Sequence, residues 1–466
     1  MKNFRCKILS LDFHYLKNTN HGHIDFLSPD AFLHDEEGNP NVFGIYGQNG
    51  SGKSTVILAF SVLQSLFQGD PIPFEAGTNI SGWSNTADIT LTLGLQFAEQ
   101  LIEVTYRVDL GKKDDGAPLI QRESLSSKEH VKGWRKFLPV FTIGPDQDLD
   151  SIFGRDTNLK FVAHSLRKDT AKALTSNKKK KLPCSVLFDA ALVQTLRNKN
   201  NPKIATLGRL LAALTNWAIG SFIVSSSSDQ GCIDGLDLLP LRIRVANQTG
   251  GNTGAVPLDL SGTNSVPSEE FPLIEKVIDQ FNIVVPAFLP HLHIVVRPVN
   301  DSKKANPGQT SFQLKSLVNG YEIPLGNESD GTKRIVSLCS SLFACYGDDA
   351  VVLVVDEFDA GIFEYLFGEI VEVLSKGTAG QLIFTSHNLR PLEILAPSSL
   401  ILTTTDPENR YEFFKGLKAS NNPRDVYLRN AFLHRDDDPF YQPTSEYEIT
   451  KAFMKIGDLY HGDDND

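Results

Sequence analysis

The stretch Gly47-Gln48-Asn49-Gly50-Ser51-Gly52-Lys53-Ser54 decides how the rest of the chain is read. An apolar run, Val42-Phe43-Gly44-Ile45-Tyr46, precedes it with the character of a buried strand, and Thr55-Val56-Ile57-Leu58-Ala59-Phe60 leaves it as a helix. Strand, glycine-rich loop and helix in that order make a phosphate-binding loop. The glycines let backbone N–H groups turn inward on the phosphates at φ values a Cβ resists. Lys53 supplies a positive charge to the β- and γ-phosphates, the Ser54 hydroxyl suits Mg²⁺, and the helix N-terminus adds its dipole. Gly47, Asn49, Gly50, Ser51, Gly52 and Thr55 complete the expected nucleotide-binding set. Such turns also serve packing alone, but all the diagnostic positions are present after a strand.

Working outward, 466 residues at 41% hydrophobic and 22% charged describe an ordinary soluble globular chain, long enough for about three domains. A net charge of −11 sets the molecule as a whole against nucleic acid, so any such contact needs a local basic patch. Cys6, Cys184, Cys232, Cys339 and Cys345 show no zinc spacing and fit reduced thiols. No run approaches the roughly eighteen apolar residues of a membrane span, and Met1 to Leu11 lacks a cleavage signal. The expectation is a cytoplasmic protein without a membrane span.

Lys7 to Leu11 and Gly22 to Phe26 alternate like two antiparallel strands; Asp88 to Phe97 and Leu101 to Val108 form a hairpin. His14, His21 and His23 flank a loop without a fourth ligand and are read as turn or surface histidines. Between 111 and 310 the pattern weakens. Ala205 to Ala218 suggests an amphipathic helix, Leu241 to Val245 a strand, Gln248 to Ser268 an exposed loop, and Lys178 to Lys181 a solvated lysine run. No coiled-coil heptads appear.

Ala350-Val351-Val352-Leu353-Val354-Val355-Asp356-Glu357 is an apolar strand ending in two carboxylates. Gln381-Leu382-Ile383-Phe384-Thr385-Ser386-His387 is a second such strand, and Phe363 to Leu374 has the spacing of a crossover helix between them. Asp356 would hold Mg²⁺ opposite Ser54, Glu357 would polarise the attacking water, and His387 would sense the γ-phosphate.

With Ser329-Asp330-Gly331-Thr332-Lys333 ahead of an apolar helix, the set resembles the ABC-type ATPases that include the SMC proteins, the double-strand-break-repair ATPases and the OLD-like antiphage ATPases. The resemblance covers about residues 1–110 and 310–405. It implies an α/β fold: an ABC-type head with a phosphate-loop parallel core sheet, an antiparallel β subdomain and a compact α/β insertion. The corresponding division is 1–110 and 311–420 for the head, 111–310 for the insertion and 421–466 for a C-terminal extension. It also implies that Ser329 and Gly331 bind the γ-phosphate held by a second subunit, although Thr332-Lys333 departs from the usual Gly-Gln or Gly-Glu. Asp359-Ala360-Gly361 resembles the family's D-loop, and Gln147 is the candidate Mg²⁺-sensing glutamine.

One loop and one signature per chain imply that ATP is sandwiched in a homodimer or higher homo-oligomer. The missing coiled-coil arm argues against an SMC role, and the short stretch after His387 leaves no room for a Toprim nuclease. The best match is the ATPase subunit of an antiphage or abortive-infection system of the Septu or PARIS kind, with ATP and Mg²⁺ as cofactors. A separate effector, a nuclease encoded nearby, is the implied partner, with nucleic acid or a phage protein as the trigger. The alternatives are a DNA-binding maintenance ATPase and, on Arg429 and His434, a HEPN-like ribonuclease.

Overall fold

The computed structural model describes residues 4–34, 40–97, 100–130, 138–143, 183–200, 202–226, 238–245, 252–299, 308–414, 423–432 and 445–461. A central sheet runs in the order Tyr411–Phe413, Leu400–Thr403, Val42–Tyr46, Gln381–Thr385, Val352–Val355, Phe222–Ser225. Its neighbours are parallel except for the edge strand Tyr411–Phe413. The four inner strands are buried at every residue, which is why the sequence shows unbroken apolar runs there instead of alternation. Parallel register brings Tyr46, Val355 and Thr385 to one edge, so the segments that follow them leave the sheet side by side.

The helix Lys53–Gln68 lies between this sheet and a second one, and its buried residues, Val56 to Phe60 among them, lie all round it. Phe60 meets Phe222 of the central sheet with ring centroids 6.1 Å apart, and Phe67 meets Tyr106 of the second at 5.1 Å. The helix stops at Gly69, whose φ of 75° is left-handed; a Cβ there would lie 2.8 Å from the Phe188 carbonyl. The second sheet is antiparallel, in the order Thr19–Asp25, Phe4–Leu16, Thr86–Phe97, Gln100–Lys112, Pro118–Glu129, Leu138–Ile143.

Three sequence expectations change. The boundary at 110 falls inside the strand Gln100–Lys112, and the antiparallel sheet continues to Ile143. Residues 202–225, placed in the insertion, belong to the head: the helix Pro202–Gly220 packs on the phosphate-loop helix, and Phe222–Ser225 pairs with Val352–Val355. Gln64 and Gln68 donate to the carbonyls of Phe222 (2.6 Å) and Ala218 (2.9 Å), and the Trp217 indole donates to Ala350 (2.9 Å). Gln248 to Ser268 is also not a plain loop. It carries strands Asn252–Asp259, which pairs antiparallel with the preceding strand Leu238–Val245, and Asn264–Pro267, whose antiparallel partner Gln309–Val318 is too distant in sequence to leave a local signal.

A smaller sheet of Asn264–Pro267, Gln309–Val318, Leu292–Pro298 and Tyr321–Pro324 carries the helix Phe271–Phe288. That helix shares a core with Asp330–Gly347, where Phe281 and Phe343 lie 5.7 Å apart. Cys6, Cys184, Cys339 and Cys345 are buried free thiols, and burial pushes Cys339 and Cys345 up to about 12. Among the described residues no helix is long and apolar enough to cross a membrane. Arg429 sits on the helix Pro423–Phe432. Gln147, Lys178 to Lys181, Cys232 and His434 fall outside the described residues.

Candidate active site

Where the central strands end, a cavity of about 600 Å³ is lined by Asn49, Gly50, Gly52, Lys53, Ser54, Thr55, Asp356, Glu357 and His387. The loop is braced from the edge strands. Thr403 Oγ1 donates to the Tyr46 carbonyl (3.2 Å) and to Ser51 Oγ, and the Tyr411 hydroxyl donates to the Gly52 carbonyl (2.7 Å). Gly47 is required by close approach, since a Cβ there would lie 1.7 Å from Thr403 Oγ1, and Gly52 by its φ of 103°. Ser51, expected at the nucleotide, is buried against Gln48 and Thr403 and serves as part of that brace.

Lys53 Nζ donates to the carbonyls of Gly47 (2.7 Å) and Gln48 (2.9 Å), which holds the ammonium at the mouth of the loop. Burial lowers its pKa, against the opposing pull of Asp356, Glu357 and Asp359. Asp356 is buried; Thr385 Oγ1 donates to its Oδ1 at 2.6 Å and accepts from the Glu357 N–H at 2.8 Å. One hydroxyl thus orients both acids. Arg334, buried on the helix Asp330–Gly347, donates to the Asp356 carbonyl at 2.8 Å.

Glu357 has φ 45°, a left-handed conformation that costs a non-glycine residue about 1–3 kcal/mol. Its N–H donates to Thr385 Oγ1 and its carbonyl accepts from the Ala360 N–H (2.9 Å), which hold it there with its side chain exposed to the cavity. His387 is presented by Asp359, whose carboxylate accepts the N–H groups of His387 (3.2 Å) and Asn388 (3.0 Å). Burial, then the charge of Lys53, lowers the His387 pKa, so it stays a neutral ring near pH 7. Asp359 therefore anchors the histidine segment of its own chain.

Ser329 and Gly331 are not brought to this cavity. Ser329 is exposed and caps the helix Asp330–Gly347, its Oγ accepting from the Thr332 N–H at 3.2 Å. Gly331 packs on Gly361, where an added Cβ would lie 2.1 Å from the Gly361 carbonyl. Sequence reasoning missed a third wall of the cavity, Lys17, Asn18 and residues 78–82. Lys17, with φ 51°, turns the first hairpin toward the loop; Asn18 Nδ2 donates to the Gly50 carbonyl and Arg410 Nη2 to that of Asn18 at 2.5 Å. The turn Lys17-Asn18 between alternating strands signals a hairpin in the sequence, and its approach to the phosphate loop comes from packing.

The hydroxyl of Ser54 and the carboxylate of Asp356 line one cavity, a hard-oxygen pair that fits Mg²⁺. Replacing Thr385 with valine keeps the shape and removes the bond to both acids. We expect a loss of about 1–3 kcal/mol, since a buried N–H loses its partner, visible as an earlier denaturant midpoint together with slower phosphate release.

A family model described as "AAA domain" matches residues 1–209, and a second, described as "AAA domain, putative AbiEii toxin, Type IV TA system", matches residues 261–393. No curated protein matches the chain in sequence. Among solved structures, the Smc head bound to the C-winged helix domain of ScpA is 14% identical with a TM-score of 0.41, over 89% of this chain and 98% of that one. The SMC head domain from Thermotoga maritima is 14% identical with a TM-score of 0.36, over 88% and 100%. The recombination mediator RecF of the RecFOR pathway is 13% identical with a TM-score of 0.33, over 82% and 92%. Both sequence matches are to AAA domains, and the chain is an ATPase.

Proposed function

We propose that this ATPase is a nucleotide-driven switch in which two copies close over ATP and part after hydrolysis. The observation that carries this reading is the split site. The phosphate loop, both acids and His387 share one cleft, whereas the exposed N-terminus of the helix Asp330–Gly347, with Ser329 and Gly331, lies outside it. A hydroxyl, a glycine N–H and a helix dipole form an anion site without an anion of their own chain to bind. The γ-phosphate in the cleft of a second copy supplies one.

In that arrangement the loop N–H groups and Lys53 bind the phosphates, Glu357 accepts a proton from the attacking water, and neutral His387 hydrogen-bonds the γ-phosphate. Mg²⁺, held through Ser54 and Asp356, neutralises phosphate charge when bound. Loss of the γ-phosphate removes the anion joining the copies, so the closed state loses its differential affinity. Mass measurement in solution tests this: a non-hydrolysable ATP analogue with Mg²⁺ should double the mass, and ADP should not. An unchanged mass would sink the switch.

The description of the model matching residues 261–393 supports a role in abortive-infection-type antiphage defence, with a separate effector nuclease encoded nearby as the controlled partner. Plaque counts on cells carrying this gene, its neighbour, or both provide the test. Protection that needs both supports the reading, and protection by neither gene alone nor the pair removes it.

A further inference from the structure

The first hairpin carries a feature that ATP hydrolysis does not use. Asp12 and His14 point to one face of Phe4–Leu16, and His21 and His23 to the same face of Thr19–Asp25, where the register sets His14 opposite His21 and Asp12 opposite His23. The histidines thus flank the turn on two paired strands, and the sequence reading did not include the carboxylate two residues before His14.

We propose that Asp12, His14 and His21 bind a divalent transition-metal ion of the zinc class. One ligand atom from each lies within 4.8 Å of the other two. His21 Nε2 is 3.0 Å from Asp12 Oδ2, and His14 Nδ1 is 3.6 Å from Asp12 Oδ1. Four-coordinate zinc with bonds of about 2.0–2.1 Å separates its ligand atoms by about 3.3 Å, so the hydrogen-bonded His21–Asp12 pair opens by only about 0.3 Å to admit the ion. The His14 and His21 rings stack with centroids 4.5 Å apart and planes 6° from parallel, and because each nitrogen lone pair lies in its ring plane, one ring turns out of the stack when both ligate one ion.

The surroundings have the form of an outer shell. His23 Nδ1 also reaches Asp12 Oδ2 at 3.0 Å, and its Nε2 reaches Asp25 at 3.1 Å. Asp88, on the strand Thr86–Phe97, lies 3.2 Å from His14 Nδ1. Carboxylates beside ligating histidines fix ring orientation and raise ligand basicity. The three donors are about a third exposed, so the ion can exchange with solvent, and a fourth position is left to water.

The position gives the ion a task. Lys17 and Asn18, at the turn between His14 and His21, touch the carbonyls of Ser54 and Gly50 in the phosphate loop. An ion bridging the two strands just before that turn clips the hairpin and stiffens the wall it gives to the nucleotide cavity.

The test is a Co²⁺ titration of tag-free protein in excess Mg²⁺, which occupies oxygen-only sites. One equivalent should produce the visible absorption of four-coordinate Co²⁺ and be displaced by Zn²⁺. Asp12→Asn and His21→Gln should each weaken binding by more than about tenfold, whereas Asp25→Asn, outside the donor set, should shift it less. Zn²⁺ should raise the melting midpoint of the wild type and of Asp25→Asn but not of the other two. These are partly exposed positions, so unchanged metal-free melting of the variants certifies their fold. Absence of micromolar Co²⁺ binding, or binding retained in His14→Gln/His21→Gln, overturns the site while leaving the ATP-driven switch untouched.

Discussion

Glu357→Gln is expected to lower ATP turnover by at least about 100-fold while ATP still binds, the loss that follows from removing a general base. Glutamine keeps the size of glutamate and its backbone N–H, so the bond from Thr385 Oγ1 and the left-handed turn at φ 45° can persist. Lys53 is held by the Gly47 and Gln48 carbonyls, independently of this side chain. What disappears is the proton acceptor. Phosphate release should therefore fall to near background, and retention of labelled ATP should be unchanged. The same variant should accumulate the doubled mass with ATP itself, because the anion that joins the copies is no longer removed. Turnover within a few-fold of wild type would mean that another group accepts the proton.

Ser329→Arg should weaken ATP-dependent association by about 100-fold or more, equivalent to about 2.7 kcal/mol and on the scale of an interface hot spot. Ser329 is exposed at the N-terminus of the helix Asp330–Gly347, and a hydroxyl occupies little space there. An arginine fills the gap a phosphate would enter and gives up the bond to the Thr332 N–H, which costs about 1 kcal/mol locally. Because the residue lies outside the cavity of its own chain, ATP binding by the monomer should not change. Ser329→Thr keeps both hydroxyl and cap and should associate normally. If Ser329→Arg doubles its mass like the wild type, the two copies meet through some other surface.

Much of this site was legible in the sequence because many of the residues lining the cavity are consecutive or end a buried strand. Gly47 to Ser54 form one contiguous motif, and Val352–Val355 and Gln381–Thr385 are buried on both faces, so the acids and histidine that follow them stood out. Phe222–Ser225 escaped notice because a strand of 4 residues has no period to read; its place is set by Val352–Val355, more than a hundred residues away. The wall formed by Lys17, Asn18 and residues 78–82 is a product of how the antiparallel sheet packs on the phosphate-loop helix, and no local pattern encodes that. Asp12 was within reach of alternation along a single strand, but pairing it with His21 requires the hairpin register.

The contact between Gly331 and Gly361 has a consequence for how two clefts would behave together. Gly331 belongs to the helix N-terminus offered to the partner, and Gly361 follows Asp359, which carries the backbone of His387. With no side chain between them, a shift of a few tenths of an ångström at one glycine moves the other. As proposed, the surface offered to the partner's nucleotide and the histidine of the chain's own cleft are linked through this backbone contact, alongside the Arg334 bond to the Asp356 carbonyl. In the proposed dimer, filling one cleft changes the geometry of the other, and ATP turnover plotted against ATP concentration should be sigmoidal, with a Hill coefficient above one.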